Sequence, residues 1–454
     1  MFEPEESMLQ ADRDAEASAD AAAARVVAAP RSHRPSLWRH VDYLKLWTAA
    51  TVSQMGSQVS LIAIPFIAAV VLGAAPFQVA LLGTFEMLPF IFFALPAGAW
   101  LDRVRRRPVL IAGDLGRAAA LATIPAAYAL GVLTIWQLYA VGFTTGFLTV
   151  LFDVADQSYL PALLDPEDLV EGNAKLQFSA SASQILGPGF GGALIGVVAA
   201  PFAVLVDAAS FVASGGLISL IRGHEPKPER KLDAEGNRTS LRADIAEGLR
   251  YVAGNRYLRM IAGSTGTSNL GTSVAFSIFP IFVYVELKLS PALVGATLSL
   301  GGLGVLVGAM LAAPLARRFG VGPVIVGSML LTGPAALMIV FLPTYDLAAG
   351  AILVASNFLM GFTAVVYNVN QVSFRQAITP LEIQGRMNAT MRFIVWGTMP
   401  LGSVLGGTLA SFLPLRTTVL IGALIATSAF LWVLLSPVRS LREIPTTARE
   451  ARPD

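Results

Sequence analysis

The chain has 454 residues, 55% of them hydrophobic and 14% charged, and its mean hydropathy of +0.65 lies well above that of an ordinary soluble domain. The absence of cysteine excludes disulfides and thiolate chemistry. The net charge of +2 carries little information, because in a membrane protein the placement of charge matters more than its sum.

In chain order, residues 1–40 come first, Ala-rich and acidic at Glu3, Glu5, Glu6, Asp12, Asp14, Glu16 and Asp20. No signal-type apolar core precedes Tyr43, so the segment is expected to be a retained, disordered tail. About twelve apolar runs follow, each near the roughly 20 residues that cross a bilayer as helix. They lie at 45–73, 77–101, 108–131, 133–157, 174–199, 201–221, 258–285, 291–316, 323–344, 347–372, 389–412 and 416–436. A barrel would instead show alternating stretches of about ten residues. The expected fold is an all-α polytopic membrane protein with twelve transmembrane helices.

Arginine and lysine mark every second link. Arg31, Arg34, Arg39 and Lys45 precede span 1, Arg103 to Arg107 follow span 2, Arg222 to Arg259 bracket the connector after span 6, and Arg317, Arg318, Arg375, Arg386, Arg392, Arg439 and Arg442 continue the series. The intervening links hold only Lys288 and Arg416. The positive-inside rule therefore puts both termini in the cytoplasm. The expected division is a cytoplasmic tail at 1–40, a six-helix half at 41–222, a cytoplasmic linker with an amphipathic helix at 223–256, a second six-helix half at 257–437 and a cytoplasmic tail at 438–454.

Span 1 contains SQMGSQVSLIAIP, Ser53 to Pro65, too polar for hydrocarbon, and a near copy, SNLGTSVAFSIFP, begins at Ser268. An offset of 215 relates Ser53 to Ser268, Gln54 to Asn269, Gly56 to Gly271, Val59 to Val274 and Pro65 to Pro280. The same offset carries Pro108 onto Pro323, Asn173 onto Asn388, and Gly187, Gly191 and Gly192 onto Gly402, Gly406 and Gly407. The chain thus reads as two parallel six-helix repeats, the arrangement of secondary transporters whose substrate sits between the halves. Gln54, Ser57 and Gln58 share one helical face, as do Asn269, Thr272 and Ser273. Two readings are open: hydrogen bonds between helices, or the lining of a central cavity.

The stretch GAWLDRVRRRPVL from Gly98 resembles the motif between helices 2 and 3 of the major facilitator superfamily. Gly98, Asp102, Arg103, Arg106, Arg107 and Leu110 fit it, while Arg105 stands where the family has a second Gly. GPGFGG, which contains Gly187, Pro188, Gly191 and Gly192, is similar to the span 5 motif of drug–proton antiporters. FDVADQSYLPALLDPEDLVEGN and YNVNQVSFRQAITPLEIQGRMNATMR resemble the branch of bacterial exporters that includes macrolide-efflux and enterobactin-export proteins. The resemblance runs from about residue 40 to 440. It implies that the acid at the inner end of span 4, Asp153, pairs with Arg106, and it places the protein in a bacterial inner membrane. On physical grounds, Asp102 can act as a latch by accepting hydrogen bonds from a helix N-terminus of the other half; Arg105 and Arg107 also read as plain topology signals, and the glycines as close helix contacts.

Ionisable groups inside spans default to functional candidates. They are Glu86, Asp114 with Arg117, Asp153 with Asp156, and Asp207; at the repeat offset they become Gly301, Met329 with Thr332, Asn368 with Gln371, and Gly422. Glu86 stands about nine residues from the outer end of span 2, on the order of 13 Å deep, and is the first candidate for carrying a proton, the alternative being a neutral, hydrogen-bonded structural acid. Asp114 and Arg117 are three apart and read as a structural ion pair. Asp207 is either a second proton site or a structural acid. Tyr367 and Asn368, with aromatic residues such as Phe66, Phe85 and Phe143, are further cavity candidates.

No GxxxxGK[ST], HExxH or GxSxG pattern occurs, so neither ATP-driven transport nor intramembrane catalysis is expected. The expected function is export of amphipathic small molecules in exchange for protons, with uptake by proton symport or a non-transporting sensor as alternatives. No cofactor, metal or nucleic acid is implied; the partners are substrate, protons and the bilayer, and the chain is expected to be monomeric.

Overall fold

A computed structural model describes residues 37–101, 104–165, 168–223, 241–343 and 346–442. Fourteen α-helices and no strand occur among them. In the first half they are α1 Val41–Phe66, α2 Pro76–Leu101, α3 Arg106–Ala129, α4 Ile135–Leu163, α5 Leu169–Val197 and α6 Ala200–Ser219. A short helix, α7 Leu241–Gly254, connects to the second half, which comprises α8 Arg256–Ile281, α9 Pro291–Phe319, α10 Val321–Val340, α11 Asp346–Ala377, α12 Leu381–Phe412 and the pair α13 Leu415–Ser428 and α14 Phe430–Leu434.

Eleven described helical segments are long and apolar enough to cross a membrane. The twelfth expected span, α5, has 29 residues but contains Glu171, Lys175 and a run of Ser, Gln and Gly, so composition alone does not mark it. It lies in the bundle against α1 and α9, where such groups face protein instead of lipid.

The same crossings occur twice. In the first half α1 packs on α5 and α6, α2 on α4, and α3 on α4 and α6; in the second, α8 packs on α12 and α13, α9 on α11, and α10 on α11 and α13. The halves meet where α5 lies on α9 and α2 on α12, which are repeat-related contacts. Even the irregularities repeat. Both α1 and α8 hold a proline near their ends, Pro65 and Pro280, and run on into a π-helical turn, Ile67–Val71 and Phe282–Glu286. Beyond these turns Gly73 and Lys288 share a left-handed backbone, φ +58° and +55°.

The apolar cores divide by level. At the end that carries the chain termini each half has its own buried cluster, one around Tyr43, Leu110 and Tyr159 and one around Leu258, Phe374 and Met387. At the far end the first half's cluster also takes in Ile281, Tyr284, Leu298 and Leu415 of the second half, and Phe66 meets Tyr284 edge to face at 5.0 Å. The halves are therefore sealed by a shared core at the far end. Arg416, one of two basic residues in the far-end links, donates to the carbonyls of Val340 and Leu342 at 2.8 Å each, capping α10 as a cation at a helix C-terminus should.

Helix α7 rests on the start of α12. Its Glu247 pairs with Arg386 at 2.6 Å, and its Gly248 lies on the Arg386 backbone and the Thr390 side chain. Tyr251 also donates from its hydroxyl to the Ile378 carbonyl at 3.3 Å.

Candidate functional site

The polar block of α1 is held by α5 and α6. Ser57 donates to the Asp207 carboxylate at 3.3 Å, and Ser210 donates to the same oxygen at 3.3 Å. Gly56 leaves the room that Ser210 and Asp207 occupy. Gln58 fills the gap left by Gly187 on α5, with its Cγ where a Cβ of residue 187 would stand. The Gln54 side-chain oxygen is buried without a hydrogen-bond partner. Asp207 itself is 2% exposed. A repeat-related crossing in the second half uses no such chemistry: Gly271 on α8 lies against the backbone of Gly422 and Ala426. Asp207 thus stands where the second half has a glycine.

The second half's copy of the block is engaged in the same way. Asn269 donates to the Val395 carbonyl at 3.1 Å, Ser273 is buried against Gly402, and Thr272 is half-buried. Tyr367, 4% exposed, shares a 2.6 Å hydrogen bond with Thr265. Asn368 is exposed and accepts from Gln371 at 2.9 Å.

Beneath the first block lies the Asp114–Arg117 pair, closed at 2.6 Å and fully buried at Asp114. The guanidinium is sandwiched between the rings of Phe152 on α4 and Phe211 on α6, 4.4 and 4.1 Å from their centroids, and it reaches Thr149 at 3.4 Å. Asp153 and Asp207 also lie in its electrostatic field, as does Asp156. One arginine therefore serves carboxylates from α3, α4 and α6. Stacking on two aromatic faces suits a planar, weakly hydrated guanidinium, so the pair reads as more than local neutralisation along one helix.

Asp153 is exposed. The expected pair with Arg106 is not formed: the cations that Asp153 senses are Arg117 and, from the other half, Arg392. Asp156, one turn further, is half-buried.

Glu86 sits at the crossing of α2 and α4. Gly146 accepts the Glu86 backbone and Gly142 lies beside its side-chain Cγ, a four-residue glycine spacing of the kind that lets helices approach closely. In the second half the small residue is on the other partner, where Gly301, the counterpart of Glu86, packs on Asn357 and Phe358. Reading α4 for glycine spacing would have located this contact; the search for charged residues alone did not.

The glycines of GPGFGG serve two helices. Gly187 and Gly191 face α1, with Gly191 against Val59. On the other side Gly192 and Pro188 lie backbone to backbone with Pro291 and Gly295 of α9, where a Cβ on Gly192 would stand 3.1 Å from the Gly295 Cα, and the Gly189 amide donates to the Ser299 hydroxyl at 2.8 Å. The motif is thus a joint between halves at the far end. Gly295 and Ser299 were absent from the sequence-derived site.

Of the motif after α2, Gly98 belongs to the last turn of that helix, and Asp102 and Arg103 lie outside the described residues. Arg106 opens α3. Arg107, read from sequence as a topology signal, has a structural role: it donates to the carbonyls of Ile218, at 3.2 Å, and Ser219, closing the end of α6.

The family described as transmembrane secretion effector matches residues 36–453. Multidrug efflux pump Tap of Mycolicibacterium fortuitum is 27% identical over 383 residues, covering 82% of this chain and 90% of Tap. Among solved structures, a bacterial homologue of the iron transporter ferroportin in an inward-facing state superposes with a TM-score of 0.69 at 18% identity, over 88% of this chain and 100% of that one. The nucleoside transporter NupG gives 0.66 at 13% identity, over 87% and 98%. At these identities the solved structures speak for the fold.

Proposed function

We propose that this chain, which belongs to the transmembrane secretion effector family of the major facilitator superfamily, exports amphipathic small molecules across a bacterial inner membrane in exchange for protons. That it is a multi-pass transporter and not an enzyme follows from the family and its relatives; direction, ion and substrate class are our reading. The observation that carries the proton is the chemical inequality of two structurally equal halves. Asp207 and Glu86 occupy helix crossings whose repeat partners are Gly422 and Gly301, and the first half's carboxylates outnumber the one arginine among them. Carboxylates without matching cations in a low-dielectric bundle take up and release protons as access alternates. The second half has amides and glycines there, so protons and substrate need not compete for one wall.

The efflux direction rests on the family's description and on the likeness to Tap. The far-end seal, with the termini in the cytoplasm by arginine placement, corresponds to an inward-facing form ready to load cytoplasmic substrate. The test is flux in sealed vesicles with Glu86→Gln and Asp207→Asn. We expect one of them to abolish uphill, proton-driven efflux while substrate-for-substrate exchange persists, because exchange needs no change of protonation. If both variants still drive uphill efflux, the first half's acids at these crossings are not the coupling site. Proton flow in the same direction as substrate would replace antiport by symport.

A further inference from the structure

The ends of α1 and α6 enclose a surface cavity of about 620 Å³ lined by Arg39, His40, Asp42, Lys45, Leu220 and Arg222. Its one acid is fully engaged: Asp42 accepts from Lys45 at 2.7 Å and from the backbone amides of Arg222 and Gly223 at 3.2 and 2.9 Å. Lys45 is likewise committed, donating also to the Leu220 carbonyl at 2.6 Å. His40 uses Nδ1 to cap α1, accepting from the Tyr43 amide at 3.0 Å, which leaves Nε2 toward the cavity. Arg39 and Arg222 remain: both are exposed, and neither guanidinium has a hydrogen bond or ion pair among the described residues.

Repeat symmetry makes the vacancy specific. Gly254 and Asn255, the counterparts of Arg39 and His40, line the corresponding 470 Å³ cavity at the start of α8, and Asn255 caps α8 as His40 caps α1. There the chain supplies its own cover, α7, whose Glu247 and Arg250 bring charges of both signs. On the first half no described segment covers the site, and its uncommitted charge is of one sign. Trp38, 52% exposed, stands beside it with Lys175 4.1 Å above its ring, an aromatic at the level where spans meet headgroups.

We infer that this cavity binds the phosphate of an anionic phospholipid headgroup between Arg39 and Arg222. Arginine pairs hold phosphate by forked hydrogen bonds, and the site faces the leaflet that its own arginines select. The full-length chain is reconstituted in nanodiscs of phosphatidylcholine with or without phosphatidylglycerol, and retained lipid is counted by native mass spectrometry. With about a factor of five per basic residue near an anionic surface, R39Q/R222Q is expected to lower phosphatidylglycerol retention roughly 30-fold, R39K/R222K to keep most of it, and inorganic phosphate not to compete. Equal retention by wild type and R39Q/R222Q overturns the site. A wild type with no preference for phosphatidylglycerol overturns it without any variant, should the double variant fail to fold. Competition by inorganic phosphate assigns the cavity to a soluble anion, and retention that appears only after removal of residues 1–30 assigns it to the acidic N-terminal segment; either result overturns the lipid.

Discussion

The joint between α5 and α9 is the place where a single methyl group should change how the transporter divides its time. A Cβ added at Gly192 would meet the Pro291 carbonyl oxygen and lie 3.1 Å from the Gly295 Cα, against about 3.5–4.0 Å for comfortable carbon contacts. The neighbours are backbone, so no rotamer change relieves the crowding. Overpacking of this kind costs about 1–3 kcal/mol. If the contact exists only while the far end is closed, that cost falls on one form alone and shifts the populations by about 5- to 150-fold toward the open far end. The native chain has no cysteine, so Leu298→Cys, in the far-end core, and Asn368→Cys, exposed in this form, report on access without background. In Gly192→Ala we expect Leu298→Cys to react faster with a membrane-impermeant thiol reagent and Asn368→Cys more slowly. Gly191→Ala is the control, because Gly191 meets Val59 of its own half and should cost stability without moving either rate. A Gly192→Ala protein that is less stable but reacts at unchanged rates would refute the argument, since both forms would then carry the same contact.

Arg117→Gln should destabilise the protein by about 3–5 kcal/mol, as expected when a buried charge loses its partner; Asp114→Asn in the same chain should restore part of it, read from thermal unfolding in detergent. Lys288→Gly should raise stability by about 1 kcal/mol, because a left-handed backbone, φ +55° here, strains every residue with a Cβ; no gain in the melting curve would contradict it. Arg107→Gln should lower stability by about 1–3 kcal/mol through the lost charged donors to the end of α6, with the effect visible as faster amide exchange at residues 218–220.

Sequence and structure agree most where a property repeats along the chain. The offset of 215, read from Ser53 and Ser268, reappears in paired crossings, in the paired prolines of α1 and α8 and in the two glycine cavities' worth of space at Gly56 and Gly271. Helical periodicity placed Ser57 and Gln58 on one face but could not say which helix that face would meet, because the partners Asp207 and Gly187 lie more than a hundred residues away. The polar block in α1 is thus explained chiefly by packing within its own half. Likewise Arg107 and Arg106 are indistinguishable as letters, and only the approach of α6 gives Arg107 its carbonyls. The breadth of the Arg117 site was hidden for the same reason: an i, i+3 pair is visible on one helix, whereas Phe152, Thr149 and Phe211 arrive from two others.

The twin π-helical turns carry a consequence for how much length the protein tolerates. Each is closed by a wide bond, from the Leu72 amide to the Ile67 carbonyl at 2.9 Å and from Leu287 to Phe282 at 3.0 Å, and so holds one residue more than an α-helical turn. Deleting that residue in one copy would restore an ordinary helix and rotate everything beyond it by about 100°, turning Tyr284 away from Phe66 or the reverse. Segments next to loops usually accept insertions and deletions. Here two matched surplus residues set the phase in which the halves mesh, so the chain length between Pro65 and Gly73, and between Pro280 and Lys288, is expected to be as strictly kept as any side chain in the core.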